Sequence, residues 1–219
     1  MSSGEHMDLR PLRQDYEGTP LRKEDCSESP FVQFQLWWTE AQQAGEAEPN
    51  AMTLATADNS GQPHARVVLL KALENQRFVF FTNYSSDKGR EIEQNPHASL
   101  SFYFQKQFRQ IRIEGRLEKI AATDSDTYFY SRPQESQIGA MLSPQSHVIP
   151  NREFIEAGLA ELKAKIEAGT MMIQRPAHWG GYALIAHRIE FWQGQPSRLH
   201  DRISYHLENN NWIKQRLAP

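Results

Sequence analysis

Arg198, His200 and Arg202 recur at every second position in the stretch WQGQPSRLHDR (192–202), near the end of a 219-residue chain. In an extended strand, side chains two apart share a face. Two guanidiniums and an imidazole would then stand together, and like charges so placed repel unless an anion joins them. Trp192 lies just upstream, and a flat aromatic beside convergent cations suits a planar anionic ligand. The plainer alternative is an edge strand blunted by charge.

Three other segments carry phosphate chemistry. In Arg66-Val67-Val68-Leu69-Leu70-Lys71, period two puts Arg66 with Val68 and Leu70, and Lys71 with Val67 and Leu69. Charges at both ends of an apolar strand need partners or water, so they are either binding groups or strand ends reaching solvent. Thr82-Asn83-Tyr84-Ser85-Ser86-Asp87-Lys88 leads into a helix. There hydroxyls, exposed N–H groups and a lysine make either an anion site or an ordinary cap. Tyr128, Arg132 and Ser136 follow at four-residue steps, which would share a helical face but for Pro133. Two phosphate kits plus an aromatic suggest two phosphorylated ligands held together, one of them a flat redox cofactor.

Other chemistries lack their signatures. No G-x-G-x-x-G, G-x-x-x-x-G-K-[ST] or G-x-S-x-G motif occurs. The eight histidines form no H-E-x-x-H and have no thiol partner at metal spacing, so no metal is expected. A net charge of −3 gives no global basic field, so neither nucleic acid nor a membrane surface is an expected partner. Apolar runs such as Val67–Leu70 and Phe78–Phe81 are far too short to cross a bilayer. With Cys26 as the single cysteine and no apolar leader, the expectation is a reduced, cytoplasmic protein.

The elements that must position these groups are mostly short strands. Residues 1–28 read as a polar, mobile arm. Residues 30–44 read as a helix buried through 31, 34, 37, 38 and 41. Strands are expected at 51–57, 65–73, 77–83, 98–104, 110–120, 182–193, 198–206 and 211–217, with a turn at Asp58-Asn59-Ser60-Gly61. Helices are expected at 85–95, from a Thr123-Asp124 cap to Tyr130, and at 151–168. Strands separated by tight turns favour an antiparallel barrel, mainly β with flanking helices, in one domain from residue 29 to 219.

The segments RVVLLK (66–71), FFTNYSSDKGREIEQNP (80–96), SRPQESQIGA (131–140) and EFWQG…RLHDR (190–202) together resemble the pyridoxamine/pyridoxine 5′-phosphate oxidase family, from about Leu12 to Pro219. The resemblance implies an FMN-binding split barrel, a homodimer, and oxidation of pyridoxamine or pyridoxine 5′-phosphate to pyridoxal 5′-phosphate, with O2 reduced to H2O2. It implies FMN contacts from the strand Arg66 to Lys71, from Phe81, Thr82, Lys88, Gln110, Gln145 and Ser146, and from Trp192 and Arg202, partly across the dimer. The substrate phosphate would be taken by Lys71, Tyr128, Arg132 and Ser136. Arg198, Leu199 and His200 would flank the pyridine ring, with Arg198 and His200 catalytic and Arg13 and Tyr16 closing the arm as a lid.

Asp87 departs from the family, where arginine is common before the phosphate-binding lysine; a carboxylate there would repel FMN phosphate unless it turns away. Glu48 stands where aspartate is frequent. Competing expectations are an oxidase of phenazine-type substrates on the same fold, or a non-catalytic FMN or pyridoxal-phosphate carrier.

Overall fold

The computed structural model describes residues 7–12 and 15–219. In chain order these form α1 (Pro30–Gln43), β1 (Ala51–Ala57), β2 (Pro63–Leu69), β3 (Ala72–Glu74), β4 (Arg77–Asn83), α2 (Asp87–Gln94), β5 (His97–Phe104), β6 (Arg109–Lys119), α3 (Ala122–Ser131), α4 (Gln134–Leu142), α5 (Arg152–Glu167), β7 (Trp179–Gln193), β8 (Asp201–Glu208) and β9 (Asn211–Leu217). Among the described residues the strands make one nine-stranded sheet in the order β2-β1-β5-β6-β7-β4-β3, with β8 on β7 and β9 on β8. The β1–β2, β1–β5, β3–β4, β4–β7 and β8–β9 pairings are antiparallel.

The chain groups into two compact units. One holds residues 48–102 and 112–189. Its β1 alternates strictly, sending Met52, Leu54 and Thr56 inward, and Leu54 pairs with Arg66 on β2 and Leu100 on β5. The β1–β2 turn is fixed by Asp58, whose Oδ1 accepts the N–H groups of Ser60 (2.8 Å) and Gln62 (3.0 Å), while Gly61 supplies φ +83°. Phe78, Phe80, Phe102, Ile113, Phe129 and Leu184 fill the core.

The other unit holds residues 1–47, 103–111 and 190–219. Pro30 starts α1, whose buried face is Phe31, Phe34, Trp37 and Ala41. Trp37 meets Phe191 edge-on at 5.2 Å and carries the Arg109 guanidinium 4.5 Å above its ring. Part of the N-terminal segment is fastened: Leu21 N–H donates to Asp201 (2.9 Å), Arg216 donates to the Leu21 carbonyl (2.7 Å), and the Tyr205 hydroxyl donates to the Ser27 carbonyl (2.6 Å).

Three expectations are corrected and one is borne out. The strand expected at 65–73 is two, because Leu70 N–H bonds the Asn50 carbonyl whereas Lys71 N–H bonds that of Val79. The chain changes partners between them, which ends β2. The helix expected from a Thr123-Asp124 cap starts at Ala122 with no side-chain cap. As Pro133 implied, Tyr128, Arg132 and Ser136 do not share one helical face: Arg132 ends α3 in an extended conformation and Pro133 is the N-cap of α4. The stretch 192–202 is not extended throughout, since residues 196–198 form a 3₁₀ turn with Ser197 and Arg198 at φ +57° and +61°. Arg198, His200 and Arg202 therefore do not stand along one strand face.

Candidate active site

In the unit holding β1 to β4, a cavity of roughly 780 Å³ gathers Arg66, Val67, Val68, Leu69, Lys71, Phe81, Thr82, Lys88, Tyr128, Arg132, Ser136 and Gln145. That size suits a cofactor-scale ligand. The partner switch after Leu69 brings Lys71 to its wall, and the end of β4 brings Phe81 and Thr82.

Its first cationic corner is Arg66 with Lys88. Arg66 Nη1 donates to the Thr56 hydroxyl and to the carbonyls of Leu54 and His64 (both 3.3 Å), and Nη2 donates to Glu91 at 3.0 Å. Lys88 sits two residues after Ser86, which caps α2 by accepting the Gly89 N–H at 3.3 Å. A Cβ on Gly89 would lie 2.1 Å from the Tyr84 carbonyl, so only glycine lets this turn press so close. Lys88 Nζ donates to Ser86 Oγ and Gln145 Oε1, both at 3.4 Å. Burial, then the Arg66 charge, pushes its pKa down. Two cations held so near each other, at a helix N-terminus, are an anion cradle. Asp87 does not enter this cavity; it pairs with Arg90, which also donates to the Ser85 carbonyl. The carboxylate that threatened the cradle is thus engaged along its own helix.

The second corner is Arg132. Its guanidinium lies 4.6 Å from the Trp179 ring centre, and burial lowers its pKa. Its Nη1 is buried with no hydrogen-bond partner among the described residues, and such a donor is costly unless a ligand satisfies it. Phe81 stacks on Tyr128 at 3.9 Å and on Trp179 at 5.5 Å, so the Trp179 ring that faces the arginine belongs to a stack of three. Gln137 fixes the turn by donating to the Arg132 carbonyl at 2.7 Å. The α3–α4 corner, rather than a single helix face, brings Tyr128, Arg132 and Ser136 to one wall.

The other unit has a cleft of about 530 Å³ lined by Tyr16, Trp192, Arg198 and His200 together with Leu12, Asp15, Gln195 and Ser197. Tyr16 contacts Phe108, Trp192 and His200 at ring distances of 5.0, 5.8 and 5.6 Å. The 3₁₀ turn brings the Gln195 N–H to His200 Nδ1 at 3.1 Å. A backbone N–H only donates, so Nδ1 carries a lone pair and the ring proton belongs on Nε2. Burial and the Arg198 charge lower the His200 pKa, which favours that neutral form.

The remaining expected positions lie apart from both spaces. Leu70 is buried, Leu199 is 69% exposed, and neither they nor Gln110 and Ser146 line either space. Arg202 is clamped by Glu190 (2.9 and 3.1 Å) and the Ala218 carbonyl (2.9 Å). Arg13 falls outside the described residues. Sequence reasoning missed Trp179, Glu91, Glu190 and Gln195. Trp179 was signalled only by the Trp-Gly-Gly run opening β7; the others matter through partners distant in sequence or through a turn that only the fold reveals.

Comparison with known proteins bears on both units. The family profile described as pyridoxamine 5′-phosphate oxidase matches residues 38–165, and that of the pyridoxine 5′-phosphate oxidase C-terminal dimerisation region matches 179–219. A pyridoxine/pyridoxamine 5′-phosphate oxidase of Polynucleobacter asymbioticus is 51% identical over 211 residues, covering 96% of this chain and 99% of that protein. One of Chromohalobacter salexigens is 50% identical over 216 residues, covering 97% and 99%. Among solved structures, PhzG of Burkholderia lata, in complex with tetrahydrophenazine-1-carboxylic acid, aligns with TM-score 0.85 and 29% identity, covering 94% of this chain and 100% of that one. The expected antiparallel split barrel with flanking helices is borne out.

Proposed function

The chain belongs to the pyridoxamine 5′-phosphate oxidase family, and on that premise we propose how its own residues carry out the reaction. It is an FMN-dependent oxidase that converts pyridoxamine or pyridoxine 5′-phosphate to pyridoxal 5′-phosphate. The observation that carries the assignment of residues is the two-cornered charge of the 780 Å³ cavity: Arg66 with Lys88 at one corner, Arg132 with an unsatisfied Nη1 at the other. Both ligands of such an oxidase bear a phosphate, so two separate cationic corners are what its chemistry requires.

FMN fits these residues. Lys88, Arg66 and the α2 N-terminus would hold its phosphate, with residues 66–69, Lys71, Phe81, Thr82 and Gln145 along the same cavity; the family resemblance adds Gln110, Ser146, Trp192 and Arg202, which do not line that cavity. Held there, FMN would supply the redox chemistry, taking up a hydride equivalent from C4′ of the substrate and passing two electrons to O2 as H2O2. Lys71, Tyr128, Arg132 and Ser136 take the substrate phosphate and thereby fix C4′ in place. Arg198 positions the reacting carbon. His200, neutral with its proton on Nε2, donates a hydrogen bond to a substrate oxygen. Leu199 provides apolar contact, and Arg13 with Tyr16 closes over the ring as a lid, the part of the 1–28 arm ahead of the Leu21 anchor, on a domain spanning 29–219. The chain carries the family's C-terminal dimerisation region, and two copies associate through it, sharing flavin contacts.

The test is product analysis. Purified protein given pyridoxamine 5′-phosphate in air should yield pyridoxal 5′-phosphate, ammonia and H2O2 in equal amounts. Turnover of a dihydrophenazine carboxylic acid with none of pyridoxamine 5′-phosphate would overturn the substrate assignment.

A further inference from the structure

Behind the Arg66–Lys88 cradle lies a carboxylate that does not line the cavity and is almost wholly buried. Glu91, 8% exposed, follows Lys88 by three residues on α2 and turns toward β1 and β2. Its Oε2 accepts the Thr56 hydroxyl and Arg66 Nη2 (3.0 Å), and its Oε1 meets His64 Nδ1 at 3.0 Å. Burial works to raise its pKa, yet the bonds from Thr56 and Arg66, with the charges of Arg66 and His64, hold it below the usual carboxylate range.

The hydrogen bonds of Arg66 divide its planar fork. Nη1 faces Thr56 and the carbonyls of Leu54 and His64, and one Nη2 hydrogen faces Glu91. What remains is the Nε–H and the second Nη2–H, which share one edge of the guanidinium. That edge is the two-pronged donor that matches a phosphate. Its direction is set by the residues holding the opposite side. Arg66 and Lys88 also repel each other, and an untethered arginine would swing away along its flexible stem.

We propose that Glu91 is a positioning residue: by holding Arg66 from behind, with Thr56, it presents the free Nε/Nη2 edge to a phosphate in the cavity. The inference rests on the reading that this corner seats the FMN phosphate. Glu91 touches no ligand; it acts through Arg66. The shallow cleft behind the cradle, lined also by His64, Asp87, Arg90 and Gln94, is therefore a support.

The test compares FMN with riboflavin, which lacks only the phosphate. Full-chain protein is loaded with each flavin and diluted, and recovery of free-flavin fluorescence gives both dissociation constants. Wild type should hold FMN far more tightly than riboflavin. In Glu91→Ala that preference should fall about tenfold or more, while riboflavin affinity stays within about twofold. Thr56→Val, which removes the second tether, should move it the same way, and Glu91→Gln, which keeps an acceptor for Arg66, should keep most of it. Thermal melts of each variant separate this effect from loss of fold, which would weaken both flavins alike. An unchanged FMN-to-riboflavin ratio in folded Glu91→Ala overturns the inference alone. A wild type that holds the two flavins equally overturns the phosphate reading and this inference with it.

Discussion

His200 Nδ1 accepts the backbone N–H of Gln195 at 3.1 Å, an arrangement compatible only with a lone pair on that nitrogen. The folded protein therefore favours the neutral ring, in agreement with a pKa lowered from 6.5 by burial and by Arg198. The linkage has a definite sign. Below about pH 6.5 the unfolded chain binds a proton that the folded ring resists, so this group's contribution to stability is complete above that pH and is lost as pH falls through the folded pKa. Denaturant midpoints between pH 5 and 8 should fall less steeply on acidification in His200→Gln than in wild type.

Arg132 shows how an unsatisfied donor predicts a ligand. Its Nη1 is buried without a partner among the described residues while its flat face rests on Trp179. Arg132→Met should raise KM for pyridoxamine 5′-phosphate by about tenfold or more. It should leave KM for phosphate-free pyridoxamine nearly unchanged. Steady-state kinetics on both substrates checks this.

Arg198 is held in a left-handed conformation at φ +61°, which is uncommon outside glycine and asparagine. A side chain presented by such a turn is placed with little freedom. Arg198→Ala should lower kcat on the order of 100-fold through misplacement of the reacting carbon, with flavin retained at the wild-type ratio. Full turnover with flavin bound would remove this role.

The Arg202–Glu190 pair is doubly hydrogen bonded, and Glu190 is only 2% exposed. Removing Glu190 leaves the half-buried Arg202 guanidinium without its carboxylate. Glu190→Ala should cost about 3 kcal/mol of unfolding free energy, read from urea unfolding. Glu190→Gln should cost less, because it keeps an acceptor for Arg202.

The legible parts of the chain were those decided locally. The strands at 51–57 and 77–83 were read to the residue, because alternation and flanking turn residues fix them without distant help. The cluster leading into Lys88 was likewise visible, since hydroxyls before a helix are a local signal. What failed depended on distant partners. Leu70 and Lys71 look like one strand until Asn50 and Val79 divide them. Ser197 and Arg198 carry no sign of their positive φ, so the cationic triplet read from its spacing came apart in space. Glu91 and Glu190 look like surface acids and become interior supports only when Arg66 and Arg202 arrive from other strands.

The most direct measurement is the visible spectrum of the purified protein under anaerobic conditions. The account predicts a yellow, FMN-loaded protein whose absorption near the flavin maximum bleaches on addition of pyridoxine 5′-phosphate and returns when air is admitted. A flavin-loaded protein whose colour is untouched by both pyridoxine and pyridoxamine 5′-phosphates would contradict it.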